Sequence, residues 1–261
     1  MVTQKLSSPS LGAILMTLQN NLPRKASSAS RRKLLKFGLL SLGAVALTAM
    51  PKAVTAQTRR NVRTLTFNAD DIGILNFALL LEELESAFYA AVVRSGKITD
   101  PEELEYVRTL GIHEATHVTF LREVLAENVI FQTRDISFNP SGLAAVLRNR
   151  DTILNTAVAL EDTGVHAYNG AGPSLTNPTY ILAAGSIVSV EGRHAAGVRA
   201  LLRRPVTEPD SDRAVSDTEL VAELNPFKGR AYDELYTPKQ IIQIVGSLNL
   251  INNPISGALV A

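Results

Sequence analysis

Four glutamates and two histidines recur in this chain at spacings that suit a pair of bound cations. Glu114 and His117 stand three residues apart, and so do Glu191 and His194. On a helix that spacing puts both side chains on one face. Glu82 and Glu161 each end an apolar run, Phe77 to Leu81 and Ala157 to Leu160. An unpaired carboxylate buried there would be strongly unfavourable. Two divalent ions answer that charge, with the glutamates bridging or chelating and each ion taking one histidine. Oxygen and imidazole donors of this kind suit iron or manganese, and the symmetric set does not choose between them. Singly, each of the six reads as a helix-surface charge or a satisfied core histidine. The set carries the inference.

Neighbouring residues are sorted against that set. Glu82 is preferred over Glu83 and Glu85 because it aligns with Glu161, and each has a tyrosine seven residues on, Tyr89 and Tyr168. Glu85, one turn away, is the alternative ligand; Glu83 is expected to be solvated. Tyr89 and Tyr168 lie two turns from their glutamates on the same face. Each is placed either to donate its hydroxyl to a liganding carboxylate on a neighbouring helix or simply to fill the core. His113, about 100° round the helix from Glu114, is expected to be structural. His166 lies off the face shared by Glu161 and Tyr168; it is read as structural, with a hydrogen bond to a ligand as the alternative. Arg122 and Arg199, five residues beyond the two histidines, are expected to be structural or surface residues.

The elements that must position these groups are helical from Asp70 onward. Helix starts are signalled by Asp70, by Asp100-Pro101-Glu102-Glu103 and by Asn177-Pro178, each a side-chain cap or a proline suited to a first turn. Four long helices are predicted, over about 71–94, 101–127, 150–169 and 178–204. Gly170 is read as a terminator of the third. Residues 129–140, β-branched and aromatic, form an extended crossover, and residues 205–236, rich in Pro, Asp and Glu, a loop that wraps the domain. A short last helix runs from about Pro238 to Leu248. The halves repeat. Asn76, Leu81, Glu82 and Tyr89 match Asn155, Leu160, Glu161 and Tyr168 at an offset of 79, while Glu114, His117, Arg122 and Leu125 match Glu191, His194, Arg199 and Leu202 at 77. The fold class is therefore all-α: an antiparallel four-helix bundle of two duplicated hairpins with a long crossover, plus a short C-terminal helix.

One glutamate from each of two helices plus Glu-x-x-His from each of the other two is the ligand pattern of ferritin-like di-metal carboxylate proteins. The stretches Leu75 to Tyr89 and Ile187 to Ala195 resemble the ferritin-like family that includes exported bacterial proteins and plant desiccation-related proteins. The resemblance covers about Asp70 to Leu202. It implies Glu82, Glu114, His117, Glu161, Glu191 and His194 as metal ligands. Gly192 departs from the family's usual alanine, a mild loss of helix propensity. The family's reaction is poorly defined, so the resemblance speaks to fold and site.

Residues 1–56 hold eight Lys or Arg and no Asp or Glu, leaving 18 basic against 25 acidic side chains in the other 205 residues, a net of −7. An acidic body makes nucleic acid an unsuitable partner. Ser30-Arg31-Arg32-Lys33-Leu34-Leu35-Lys36 precedes an apolar run from Phe37 to Met50, too short for a spanning helix and suited to a signal core. It resembles a twin-arginine export signal, whose substrates cross the membrane folded through the twin-arginine translocase. Val54 and Ala56 suit cleavage before Gln57, although an uncleaved anchor is the other possibility. The expected organisation is a leader over 1–56, a bundle over 57–204 and a C-terminal extension over 205–261. The expected location is periplasmic or extracellular.

With no Cys in the chain and its three Met all in the leader, the body can hold neither an iron–sulfur cluster nor a methionine-ligated haem. Electrons must come from the substrate or a separate partner. Chemistry on peroxide or oxygen, of catalase, peroxidase or ferroxidase type, meets that condition. The alternative is a non-catalytic desiccation- or stress-related protein that sequesters metal or shields partners. A homo-oligomer is compatible with either.

Overall fold

Asp70 opens the first helix, accepting a hydrogen bond from the Gly73 amide at 2.7 Å. The computed structural model describes residues 62–207 and 233–261. The leader with its arginine pair and cleavage site lies outside them, as does most of the wrapping loop. Helix α1 spans Asp71–Ser95 and ends on Gly96 with φ 61°, a left-handed cap that glycine adopts without strain. Helix α2, Pro101–Leu125, starts on the Asp100 side chain, which accepts from the Glu102 and Glu103 amides. Short helix α3 is Pro140–Val146. Helix α4, Arg150–Ala171, is capped by Asn149, and α5, Pro178–Leu201, by Asn177. Caps of this type contribute about 1 kcal/mol each, so they fix where the helices begin.

The pairing is antiparallel. Asn76 meets Asn128, Glu83 meets Arg122 and Tyr89 lies over Gly111, so α1 and α2 run oppositely. On α4 and α5, Asn155 meets Arg204, Asp162 meets Arg199 and Glu161 meets His194. The two hairpins then close on each other, α1 against α4 and α2 against α5. Buried Asn76 holds the start of the crossover through Asn128 O, at 2.9 Å, and the Ile130 amide, at 2.9 Å. This is the all-α bundle expected, with two hairpins and a long central connection.

Apolar packing falls in two layers. One joins Leu75, Leu79, Leu81, Leu121, Leu125 and Ile187, with Phe67 and Phe77. The other joins Phe88, Val92, Val107, Leu110, Leu154 and Val198. The candidate ligands lie along the chain between these sets on all four helices, so the polar groups form a stratum inside the bundle.

Three features differ from the sequence reading. The third long helix runs through Gly170 to Ala171, because that glycine serves a tertiary approach: a Cβ there would meet Tyr236 O at 1.9 Å. Helix α2 ends at Leu125, and a 3₁₀ turn follows at Ala126–Asn128. A two-residue parallel ladder, unforeseen, pairs β1, Leu65–Thr66, with β2, Ile255–Ser256. Helix α6, Pro238–Leu248, packs on α4 with Ile241 and Val245 buried. Among the described residues no helix is long and apolar enough to cross a membrane.

Candidate metal centre

Glu82 comes from α1, Glu114 and His117 from α2, Glu161 from α4, and Glu191 and His194 from α5; all six are buried. They form two overlapping tetrads. Glu82, Glu114, His117 and Glu191 offer ligand atoms within 4.8 Å of one another, and so do Glu114, Glu161, Glu191 and His194. Glu114 and Glu191 belong to both. The geometry thus has two end positions, each with its own glutamate and histidine, and two shared carboxylates.

His117 Nδ1 lies 3.1 Å from Glu82 Oε2, 3.0 Å from Glu114 Oε2 and 3.0 Å from Glu191 Oε1. His194 Nδ1 lies 2.9 Å from Glu114 Oε1, 3.2 Å from Glu161 Oε2 and 3.8 Å from Glu191 Oε2. One N–H can serve one of three acceptors well. Glu114 Oε1 and both oxygens of Glu191 accordingly have no hydrogen-bond partner. Buried lone pairs left over in this number fit cations, and the carboxylate–imidazole donor set fits two of them.

Proton equilibria follow from the crowding. Burial opposes the imidazolium at His117, but the close carboxylates of Glu114, Glu191 and Glu82 outweigh it and push the pKa up to about 12. His194 is likewise pushed up to about 12, by Glu114, Glu161 and Glu191 against burial. For Glu114, burial is opposed by the close imidazoliums of His117 and His194, which hold it at about 2. Burial and then the charge of Glu191 raise Glu82 to about 8. Burial also lifts Glu161 well above the carboxylate range, against the pull of His194.

Each tyrosine crosses to the other hairpin. The Tyr168 hydroxyl donates to Glu82 Oε1 at 2.6 Å, and the Tyr89 hydroxyl donates to Glu161 Oε1. Burial, then the charge of the facing carboxylate, raises both phenols well above their usual range, so both keep their protons. Each leaves the second oxygen of its glutamate turned to a histidine.

Two sequence expectations are corrected. Glu83 is buried, not solvated: it accepts from Arg122 at 2.6 Å and from Thr133 at 2.8 Å. The same clamp recurs in the second hairpin, where Arg199 donates to Asp162 at 2.5 Å. The repeat itself signalled it, since Glu83 and Arg122 map onto Asp162 and Arg199. His113, set aside as structural, places Nδ1 2.8 Å from His194 Nε2. It therefore holds the nitrogen of His194 that faces away from the carboxylates, fixing ring orientation. Val190 occupies the corresponding place in the other half, so no repeat flagged it. His166 is buried with its ring edge-on to Tyr236 at 4.5 Å, and its carbonyl accepts from the Tyr236 amide. Glu85 is buried beside the centre with Oε2 unpartnered.

No curated protein matches the chain. The family described as Ferritin-like domain matches residues 70–204, the stretch that supplies all four long helices and every residue of both tetrads. Over more than half its length, and with a buried Glu/His centre where that fold brings its helices together, the chain belongs to the ferritin-like domain family.

Proposed function

We propose that this is an exported di-metal carboxylate protein, holding two iron or manganese ions and acting on peroxide or oxygen in protection against stress. The observation that carries the reading is the pair of buried tetrads sharing Glu114 and Glu191. When bound, the two ions supply the redox chemistry on peroxide or oxygen. The chain's own groups prepare the place for them. Tyr89 and Tyr168 orient the end carboxylates across the hairpin interface, and His113 orients His194. The apolar layers on either side limit water around the centre.

Substrate class follows from the absent electron relay. The chain has no cysteine, so it carries no thiolate-bound cluster to deliver electrons. Peroxide disproportionation needs none: one peroxide is reduced to water while another is oxidised to dioxygen. Oxidation of incoming ferrous iron by oxygen or peroxide is similarly self-sufficient. Export rests on the leader, with its Arg31-Arg32 pair and apolar run, and makes the twin-arginine translocase a partner and the periplasm or exterior the destination.

The test is elemental analysis of protein purified from its native compartment, followed by a peroxide assay. About two iron or manganese ions per chain are expected, with oxygen evolution from peroxide. His117→Ala and His194→Ala should each lower metal content while leaving the bundle folded, because packing supplies most helix stability. Native protein without metal, and variants equal to the parent, would sink the assignment. Two ions without turnover would leave metal sequestration as the role.

A further inference from the structure

Of the three buried glutamates on α1, one has no acidic counterpart in the second hairpin. The offset that carries Glu82 onto Glu161 carries Glu85 onto Gly164. Glu85 stands three residues from Glu82 on the same helix face and is only 2% exposed. Its Oε2 has no hydrogen-bond partner. Glu83, two residues earlier and equally deep, has Arg122 and Thr133; Glu85 has no comparable clamp among the described residues.

The glycine explains how a fifth carboxylate fits. A Cβ on Gly164 would lie 3.4 Å from Glu191 Oε2 and 3.5 Å from Glu85 Oε1. The two carboxylates thus converge on the space that a side chain at 164 would fill, and both oxygens of Glu191 are themselves unpartnered. A purely structural role accounts poorly for this arrangement. An apolar residue at 85 would pack without leaving a buried acceptor unmet, and such acceptors are destabilising.

We propose that Glu85 is a seventh protein ligand of the di-metal centre, a fifth carboxylate admitted by the notch at Gly164. The proposal rests on the metal-binding reading above. Charge balance gives the residue its purpose. Four glutamates neutralise two divalent ions, whereas five match a pair in which one ion is trivalent. Glu85 therefore favours the more positively charged state of the pair, and makes the two halves of the centre inequivalent.

The experiment compares parent, Glu85→Gln and Gly164→Val, each loaded with cobalt(II) and, separately, anaerobically with ferrous iron. Glu85→Gln keeps the shape and removes the charge. Gly164→Val puts methyl groups in the notch and should displace the carboxylate of Glu85. Both variants should still take up two ions but bind cobalt about tenfold more weakly. Their cobalt absorption, which reports coordination, should change alike. The iron midpoint potential should rise, because the oxidised pair loses its extra negative ligand. Parent protein that binds no metal would overturn the reading of the centre itself. Parent and Glu85→Gln with two ions, the same cobalt spectrum and the same potential would overturn the role of Glu85 alone. If Gly164→Val fails to fold, Glu85→Gln still decides.

Discussion

Loading the metal-free centre with two divalent ions at pH 7 should release at least about three protons per chain. Without metal, His117 and His194 hold protons up to about pH 12, yet each must present a bare nitrogen to an ion. Glu82, raised to about 8 by burial and the charge of Glu191, is also protonated at neutrality. Glu114, held at about 2, has none to give. Three protons in exchange for two ions make the product of the two dissociation constants change about 10³-fold per pH unit, or about 4 kcal/mol. Lowering pH weakens binding; above pH 8, where Glu82 ionises unaided, the slope eases. Calorimetric titration of metal-free protein with manganese(II), in buffers of equal pH and different ionisation enthalpy, counts the protons directly. Release of one proton or fewer would refute this account of how the cluster is held before metal arrives. The same shifts set the stability of the metal-free form. Glu82 rises on folding, so its contribution is present below pH 4.5 and lost as pH climbs through 8. His117 and His194 contribute below 6.5 and lose it toward 12. Glu114 falls on folding, so its contribution is present above 4.5 and lost toward 2. Metal removal should therefore shift the pH of greatest thermal stability into the acid range, to near pH 4.5.

Tyr89→Phe and Tyr168→Phe each remove the donor that orients one end carboxylate, and each should weaken metal retention about tenfold in competition with a chelator. Arg199→Ala leaves the partly buried Asp162 without its clamp and should lower unfolding free energy by about 3 kcal/mol in denaturant titration. Arg122→Ala should cost at least as much, about 3 kcal/mol, because the carboxylate it abandons, Glu83, is the more deeply buried, at 5% against 20%; metal content should stay at the parent's level in both. Gly257 has φ 113°, and a Cβ there would meet Phe67 O at 2.1 Å. Gly257→Ala should therefore break the β1–β2 pairing and speed hydrogen exchange at the Leu65 and Phe67 amides.

Local chemistry made much of this molecule legible. Asp70, Asp100 and Asn177 mark helix starts because a cap bonds within its own first turn, and the structure uses all three. The six inward ligand candidates were found through repetition, which records tertiary function twice in one chain. Repetition also carried the Glu83–Arg122 clamp, but α1 hid it. Every residue from Gly73 to Glu85 is buried, so no polar face remains to show which glutamates point to water. His113 lacked a counterpart, and its contact with His194 depends on how α2 and α5 pack. Gly170 looked like a stop signal because its true neighbour, Tyr236, lies far along the chain. The two-residue strands had too little pattern to announce themselves.

The pairing of Leu65 with Ile255 imposes an order on synthesis. Leu65 leaves the ribosome long before its partner exists, and the Leu65 amide must wait for the carbonyl of Pro254. Phe67, buried in the core, is flanked by bonds to Ser256 and Leu259. Both hairpins can form while translation continues, but the pairing of Leu65–Thr66 waits for Ile255–Ser256. A chain cut before Pro254 would thus carry every inward Glu and His and still lack this pairing. Any apparatus that tests whether the body is finished has, in this late clasp, a feature that only chains reaching Ser256 possess.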